Sequence, residues 1–120
     1  MLDGEEYEVR SARLLESYGL TVIARGFRCK VGEIDLIACD DHRLLFVEVR
    51  ARRHLSFGGA AASVNRRKQC RLARCAAFFL SQNPQWRHLP CRFDVITWEP
   101  SRNDGLIQAR WIEAAFLTPT

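Results

Sequence analysis

GEIDLIACDDHRLLFVEVR, residues 32–50, reads as two apolar strands joined by a tight polar turn, yet Glu33, Asp35 and Glu48 stand inside the strands rather than at their ends. In a strand, residues two apart share a face, so Glu33, Asp35 and Ile37 point one way while Ile34, Leu36 and Ala38 point the other. On the following strand Phe46, Glu48, Arg50 and Arg52 share a face, opposite Leu45, Val47 and Val49. A two-residue loop at Asp41-His42 would set Asp40 against Arg43. That register puts Asp35 opposite Glu48 and Glu33 opposite Arg50. Opposed side chains have Cβ atoms about 5 Å apart, so Asp35 and Glu48 would repel. A raised pKa, a nearby arginine or a bound cation would each relieve them. A half-buried sheet carrying an ion pair to Arg50 is the plainer alternative.

Helices flank this hairpin. Residues 5–18 carry Tyr7, Leu14, Leu15 and Tyr18 at helical spacing, and Gly19 is placed to close the helix. At about 100° per residue, Glu8 falls roughly 20° from Leu15 and 40° from Ala12, on the flank of the apolar face, where a carboxylate needs a partner. A strand over residues 20–29, interrupted by Gly26, leads into the hairpin. A second helix over residues 64–81, with Ser63 or Asn65 as N-cap, bears the stripe Leu72, Cys75, Ala76 and Phe79. Continued one turn back, that stripe reaches Lys68 and Gln69. Residues 91–98 read as a further strand, residues 100–105 as a turn, and residues 106–116 as a strand or a helix. The expected fold class is α/β: one small domain over residues 1–120, in the order α-β-β-β-α-β, with a mixed sheet flanked by helices.

Composition bounds the rest. The chain has 120 residues, 48% hydrophobic and 27% charged, which suits one soluble domain with a modest core. No apolar run approaches the roughly 20 residues that span a bilayer, and the acidic start is no signal peptide, so a cytoplasmic protein with no membrane partner is expected. The five cysteines lack any C-x-x-C pair and are expected to be reduced and to pack in the core. Between Glu48 and Asp94 there is no acidic residue, while Arg50, Arg52, Arg53, Arg66, Arg67, Lys68, Arg71, Arg74, Arg87 and Arg92 fill the gap. Such one-sided charge attracts polyanions, and arginine's planar fork favours phosphate. A solvated basic face is the alternative. Trp86, Trp98 and Trp111 are expected in the core rather than stacked on bases.

Glu8, Asp35 and Glu48 together offer the oxygen ligands that Mg²⁺ or Mn²⁺ prefers, with Arg50 and a basic helix beside them to hold phosphate. The acidic residue on the first helix, the Asp on one strand and the Glu-x-basic tripeptide Glu48-Val49-Arg50 on the next resemble the PD-(D/E)XK nuclease superfamily. More closely, Gly32-Glu33-Ile34-Asp35-Leu36-Ile37-Ala38, Phe46-Val47-Glu48-Val49-Arg50, Phe57-Gly58-Gly59, Arg67-Lys68-Gln69 with Leu72, and Arg92-Phe93-Asp94-Val95-Ile96 resemble the YraN family of small nuclease-like bacterial proteins, across essentially the whole chain.

The resemblance implies a restriction-endonuclease-like core and a metal-dependent endonuclease acting on DNA, with branched or flapped structures as candidate substrates. It implies Asp35 and Glu48 as central metal ligands, Glu8 as the further acidic ligand, and Arg50 at the superfamily's lysine. Arginine stays protonated, so it can orient phosphate but not deprotonate water, a task that would then pass to a carboxylate or to Lys68. Arg52, Arg53, Arg66, Arg67, Lys68, Gln69 and Arg71 are the expected nucleic-acid contacts. A homodimer would suit a substrate with two symmetric strands. A nucleic-acid-binding module that keeps the fold without the chemistry is the alternative function.

Overall fold

The computed structural model describes residues 4–52 and 64–116. Helix α1 (Gly4–Ser17) is followed by β1 (Thr21–Cys29), β2 (Gly32–Cys39), β3 (Leu44–Ala51), α2 (Arg66–Gln82), a 3₁₀ turn (Pro84–Trp86), β4 (Cys91–Pro100) and β5 (Ile107–Phe116). One mixed sheet holds all five strands in the order β1-β2-β3-β4-β5. β3 and β4 run parallel, which the crossover through α2 allows, and the other pairs are antiparallel. The α-β-β-β-α-β order is as expected, and the segment left open between strand and helix is β5.

Local signals explain the element ends. Gly19 has φ of +85°, and the bonds Leu20 N–H to Leu15 O (3.2 Å) and Gly19 N–H to Glu16 O (3.0 Å) form a Schellman cap on α1. Asn65 caps α2, its side-chain oxygen accepting from Lys68 N–H at 2.9 Å. Ser63, the other candidate cap, lies outside the described residues. The β2–β3 turn is tied by Asp40, whose carboxylate accepts from the N–H groups of His42 and Arg43.

The helices cover opposite faces of the sheet. Leu36, Ala38, Leu45, Val47 and Ile96 pack with Ala12 and Leu15 of α1, while Ile37, Phe46, Phe93 and Val95 pack with Leu72, Cys75, Ala76 and Phe79 of α2. The expected helix stripe is thus the buried face of α2. Ile34 departs from the expected alternation, since it packs with the α2 cluster although Leu36 belongs to the α1 cluster. Below Leu36, strand β2 pairs with β1 alone, and two-stranded ribbons twist more strongly than broad sheets. The cysteines are all free, but only Cys39 and Cys75 are buried, and Cys91 is exposed at the first position of β4 rather than packed in the core.

β4 and β5 are held by a buried carboxylate. Asp94, 1% exposed, accepts from Arg92 Nε and Nη2 (both 2.8 Å), from the Trp111 indole N–H (2.9 Å) and from Ala114 N–H (2.9 Å). The pairing shifts here, between Phe93 opposite Phe116 and Val95 opposite Ile112. Trp98 donates its indole N–H to Ser11 Oγ at 2.8 Å, so two of the three tryptophans have structural hydrogen bonds and Trp86 packs against the core. Among the described residues no helix is long and apolar enough to cross a membrane.

Candidate active site

The site lies where two strands part. β2 and β3 pair from Cys39 opposite Leu44 to Leu36 opposite Val47, the register set by the Asp41-His42 loop. There the ladder stops. β3 continues beside β4, with Glu48 next to Val95 and Arg50 next to Thr97, while β2 stays with β1. Asp35 therefore does not pair backbone to backbone with Glu48. Its Oδ2 instead accepts the Val49 N–H at 2.8 Å, a side chain standing in for the missing ladder bond.

Glu48 is 7% exposed. Its Oε1 lies 2.9 Å from Lys68 Nζ, which reaches it from the first turn of α2, and its Oε2 is buried with no hydrogen-bond partner among the described residues. An unsatisfied carboxylate oxygen in such a place is costly. Asp35 carries the consequence: burial first, and then the Glu48 charge, push its pKa up to about 7. Asp35, Glu48 and Lys68 line a cleft of about 280 Å³ with Val31, Gly32, Glu33, Arg71 and Leu72. A carboxylate pair with one orphaned oxygen and a raised pKa fits a hard divalent cation.

The other expected site residues fall as follows. Glu8 is half-buried on α1, and its pKa is raised by burial first and then by the charges of Asp35 and Glu33. It lines a neighbouring groove with Glu5, Arg25 and Gly26, however, and among the described residues no three acidic, thiol or imidazole groups converge as a metal cluster. Arg50 is half-buried, does not line the cleft, and leaves its Nε buried without a hydrogen-bond partner among the described residues. Glu33, which the register would set opposite Arg50, lies beyond the end of that ladder and approaches Arg28 at 3.8 Å instead.

Arg52 is half-buried and its backbone N–H bonds Trp98 O at 2.8 Å. Arg66, Arg67 and Arg71 are exposed on α2, and Arg71 joins the cleft wall. Gln69 donates its amide to Val64 O at 2.8 Å, which makes it a clamp on the start of α2 rather than a free ligand. Arg53 lies outside the described residues. The clasp from Asp35 to Val49 had no signal in the sequence, because it depends on where β2 leaves β3. Lys68 did have one, the helical stripe extended back by a turn.

Comparison with known proteins matches most of the chain to one family. A model described as "Uncharacterised protein family UPF0102" matches residues 7–98. A UPF0102 protein of Alcanivorax borkumensis is 46% identical over 113 residues, covering 94% of this chain and 90% of that protein. One from Pseudomonas syringae pv. tomato is 44% identical over 116 residues, covering 94% and 91%, and one from Pseudomonas putida strain GB-1 is 42% identical over 113 residues, covering 94% and 91%. From this match the chain belongs to the uncharacterised protein family UPF0102.

Proposed function

We propose that this protein is a metal-dependent endonuclease that hydrolyses phosphodiester bonds in DNA, with branched or flapped structures as its preferred substrates. The observation that carries the reading is the buried Glu48, bonded to Lys68 on one oxygen and orphaned on the other, beside an Asp35 whose pKa is raised. The sequence resemblance to PD-(D/E)XK nucleases and the YraN family supports it independently.

Asp35 and Glu48 are the residues that would hold Mg²⁺ or Mn²⁺, with Glu8 in the neighbouring groove. Such an ion supplies an activated water and neutralises negative charge on phosphate. The chain's own groups do the positioning. Lys68 is one of the two cations lining the cleft, with Arg71, and can give a hydrogen bond to a phosphate oxygen. It also fixes Glu48 Oε1, and Asp35 is fixed by Val49 N–H, so both carboxylates are preorganised before substrate arrives. Arg71, in the cleft wall, contributes permanent positive charge. Among the described residues neither helix stands out as a reader of bases, which favours recognition of DNA shape over sequence.

The test is cleavage of labelled duplex, single-stranded, flapped and four-way-junction DNA with Mg²⁺, Mn²⁺ or chelator. The wild type is expected to cut in a metal-dependent way, and Asp35→Asn and Glu48→Gln each to lose about 100-fold or more. Salt-sensitive binding without cleavage would favour a second reading, a binding module that keeps the fold, which the separation of Glu8 from a three-carboxylate cluster supports.

A further inference from the structure

Next to the carboxylate cleft lies a second, wholly basic one. Lys30, from the β1–β2 turn, and Arg67, Arg71 and Arg74 of α2 line it with Val31 and Cys70, around a volume of about 530 Å³. Val31 and Arg71 belong to both clefts, so the two share a wall. None of the four cations forms an ion pair among the described residues, whereas Arg28, Arg43, Lys68 and Arg92 all do. Among the described residues no carboxylate lines this second cleft. Four uncompensated positive charges around one concavity form a focused attractive field for an anion.

The other flank of the site is different. There the groove beside Glu8 is lined by Glu5, Glu8, Arg25 and Gly26, two carboxylates against one guanidinium. The net charge of the lining therefore changes sign between the groove on the α2 side and the groove beside Glu8. Arg67, Arg71 and Arg74 follow one another at helical spacings of four and three, so their row extends about 10 Å along α2. A row of that length reaches about two to three successive phosphates of one strand. Arginine forks suit paired phosphate oxygens, and the lysine from the hairpin closes the far side.

We infer that the Lys30–Arg67–Arg71–Arg74 cleft is the track for the sugar-phosphate backbone of one nucleic-acid strand, which enters the carboxylate cleft past Arg71 from the α2 side only. The inference rests on the reading of the carboxylate cleft as a phosphodiester site, because that reading makes the shared wall a path for the substrate. It names Lys30 and Arg74 as phosphate contacts and makes recognition one-sided: the strand is gripped over about two to three nucleotides on one side of the scissile bond and is not gripped beyond Glu8.

Fluorescence anisotropy with a labelled single-stranded oligonucleotide, titrated across salt concentrations in chelator, separates this inference from the nuclease reading, since no cleavage is required. In the full chain, Arg67→Ala/Arg74→Ala is expected to lower the slope of log affinity against log salt by about 1.4, and the quadruple variant with Lys30→Ala and Arg71→Ala by about 2.8, at about 0.7 per lost contact. Arg10→Ala/Arg13→Ala, which removes as much charge from the exposed side of α1, is expected to leave the slope unchanged. All these residues are surface cations, and retained melting temperatures verify that the variants fold. Equal loss from both double variants, an unchanged slope in the quadruple variant, or no salt-sensitive binding by the wild type would overturn the track. Absence of cleavage alongside the expected slopes would overturn the nuclease reading and leave the track standing.

Discussion

Replacing Lys68 by methionine keeps the aliphatic stem and removes the cation. Glu48 would then be a carboxylate 8% exposed in its side chain, with both oxygens unpartnered and Asp35 beside it. Breaking a buried ion pair from one side typically costs about 3–5 kcal/mol, and because the Lys68 side chain is itself 31% exposed the lower end, about 3 kcal/mol, applies here. For a chain of this length that corresponds to a fall of about 12 °C in melting temperature. Glu48→Gln should be far milder, since it removes the buried charge and frees Lys68 to reach solvent. The double variant should therefore recover most of the loss, giving a coupling energy of about 2 kcal/mol in a cycle of urea-unfolding measurements. Mg²⁺ or Mn²⁺ should stabilise Lys68→Met more than the wild type, because the lysine no longer competes for Glu48. A Lys68→Met protein within about 0.5 kcal/mol of the wild type, a size usual for surface substitutions, would refute the argument that this ion pair neutralises Glu48.

Other outcomes follow from the same geometry. Asp35 is raised from 3.8 to about 7, so between those values the folded protein holds a proton that the unfolded chain has lost. Its contribution to stability is complete below about pH 4 and lost as pH rises through 7, by at most about 4 kcal/mol, and Asp35→Asn should flatten that part of the stability–pH curve measured with chelator. Asp94→Ala strands the Trp111 indole and the Ala114 N–H and leaves Arg92 with only its longer ion pair to Glu113 at 3.8 Å, and is expected to lower the urea midpoint by an amount equivalent to about 3 kcal/mol while leaving the salt slope of oligonucleotide binding unchanged. Asn65→Ala removes the cap on α2 and should destabilise the fold by about 1 kcal/mol, with faster amide exchange in the first turn, where Lys68 sits.

The central hairpin could be read from sequence because two signals agreed. Alternation assigns the faces from Leu36 to Cys39 and from Leu44 to Val47, and the short polar loop fixes their register, so Asp35 and Glu48 fall together just beyond the end of that ladder, while Ile34 leaves the pattern. The α2 stripe was equally legible, since Leu72, Cys75, Ala76 and Phe79 keep one period throughout. β5 was not, because its pairing with β4 shifts between Val95 and Phe93, opposite the buried Asp94, and Ala114 takes φ of +48° there. A side-chain pattern that changes face midway has no single period to detect. The site was legible as a set of residue types but not as an arrangement. Sequence spacing put Glu8 toward the interior, yet how far it stands from Asp35 depends on how α1 crosses the sheet. That Lys30 and Arg74 share a cleft has no signal in the sequence, because they meet only where the β1–β2 turn packs on α2.

The bond from Val49 N–H to Asp35 also bears on how such a chain would change over generations. At the fork, this one carboxylate closes the gap where two strands part, so it answers to the architecture as well as to the chemistry. A descendant that had abandoned phosphodiester cleavage would still need a hydrogen-bond acceptor at position 35. Glu48 is under no such obligation: once the chemistry is gone, a neutral or apolar side chain there would relieve a buried charge. Decay of function in this fold should therefore be written first at position 48 and last at position 35.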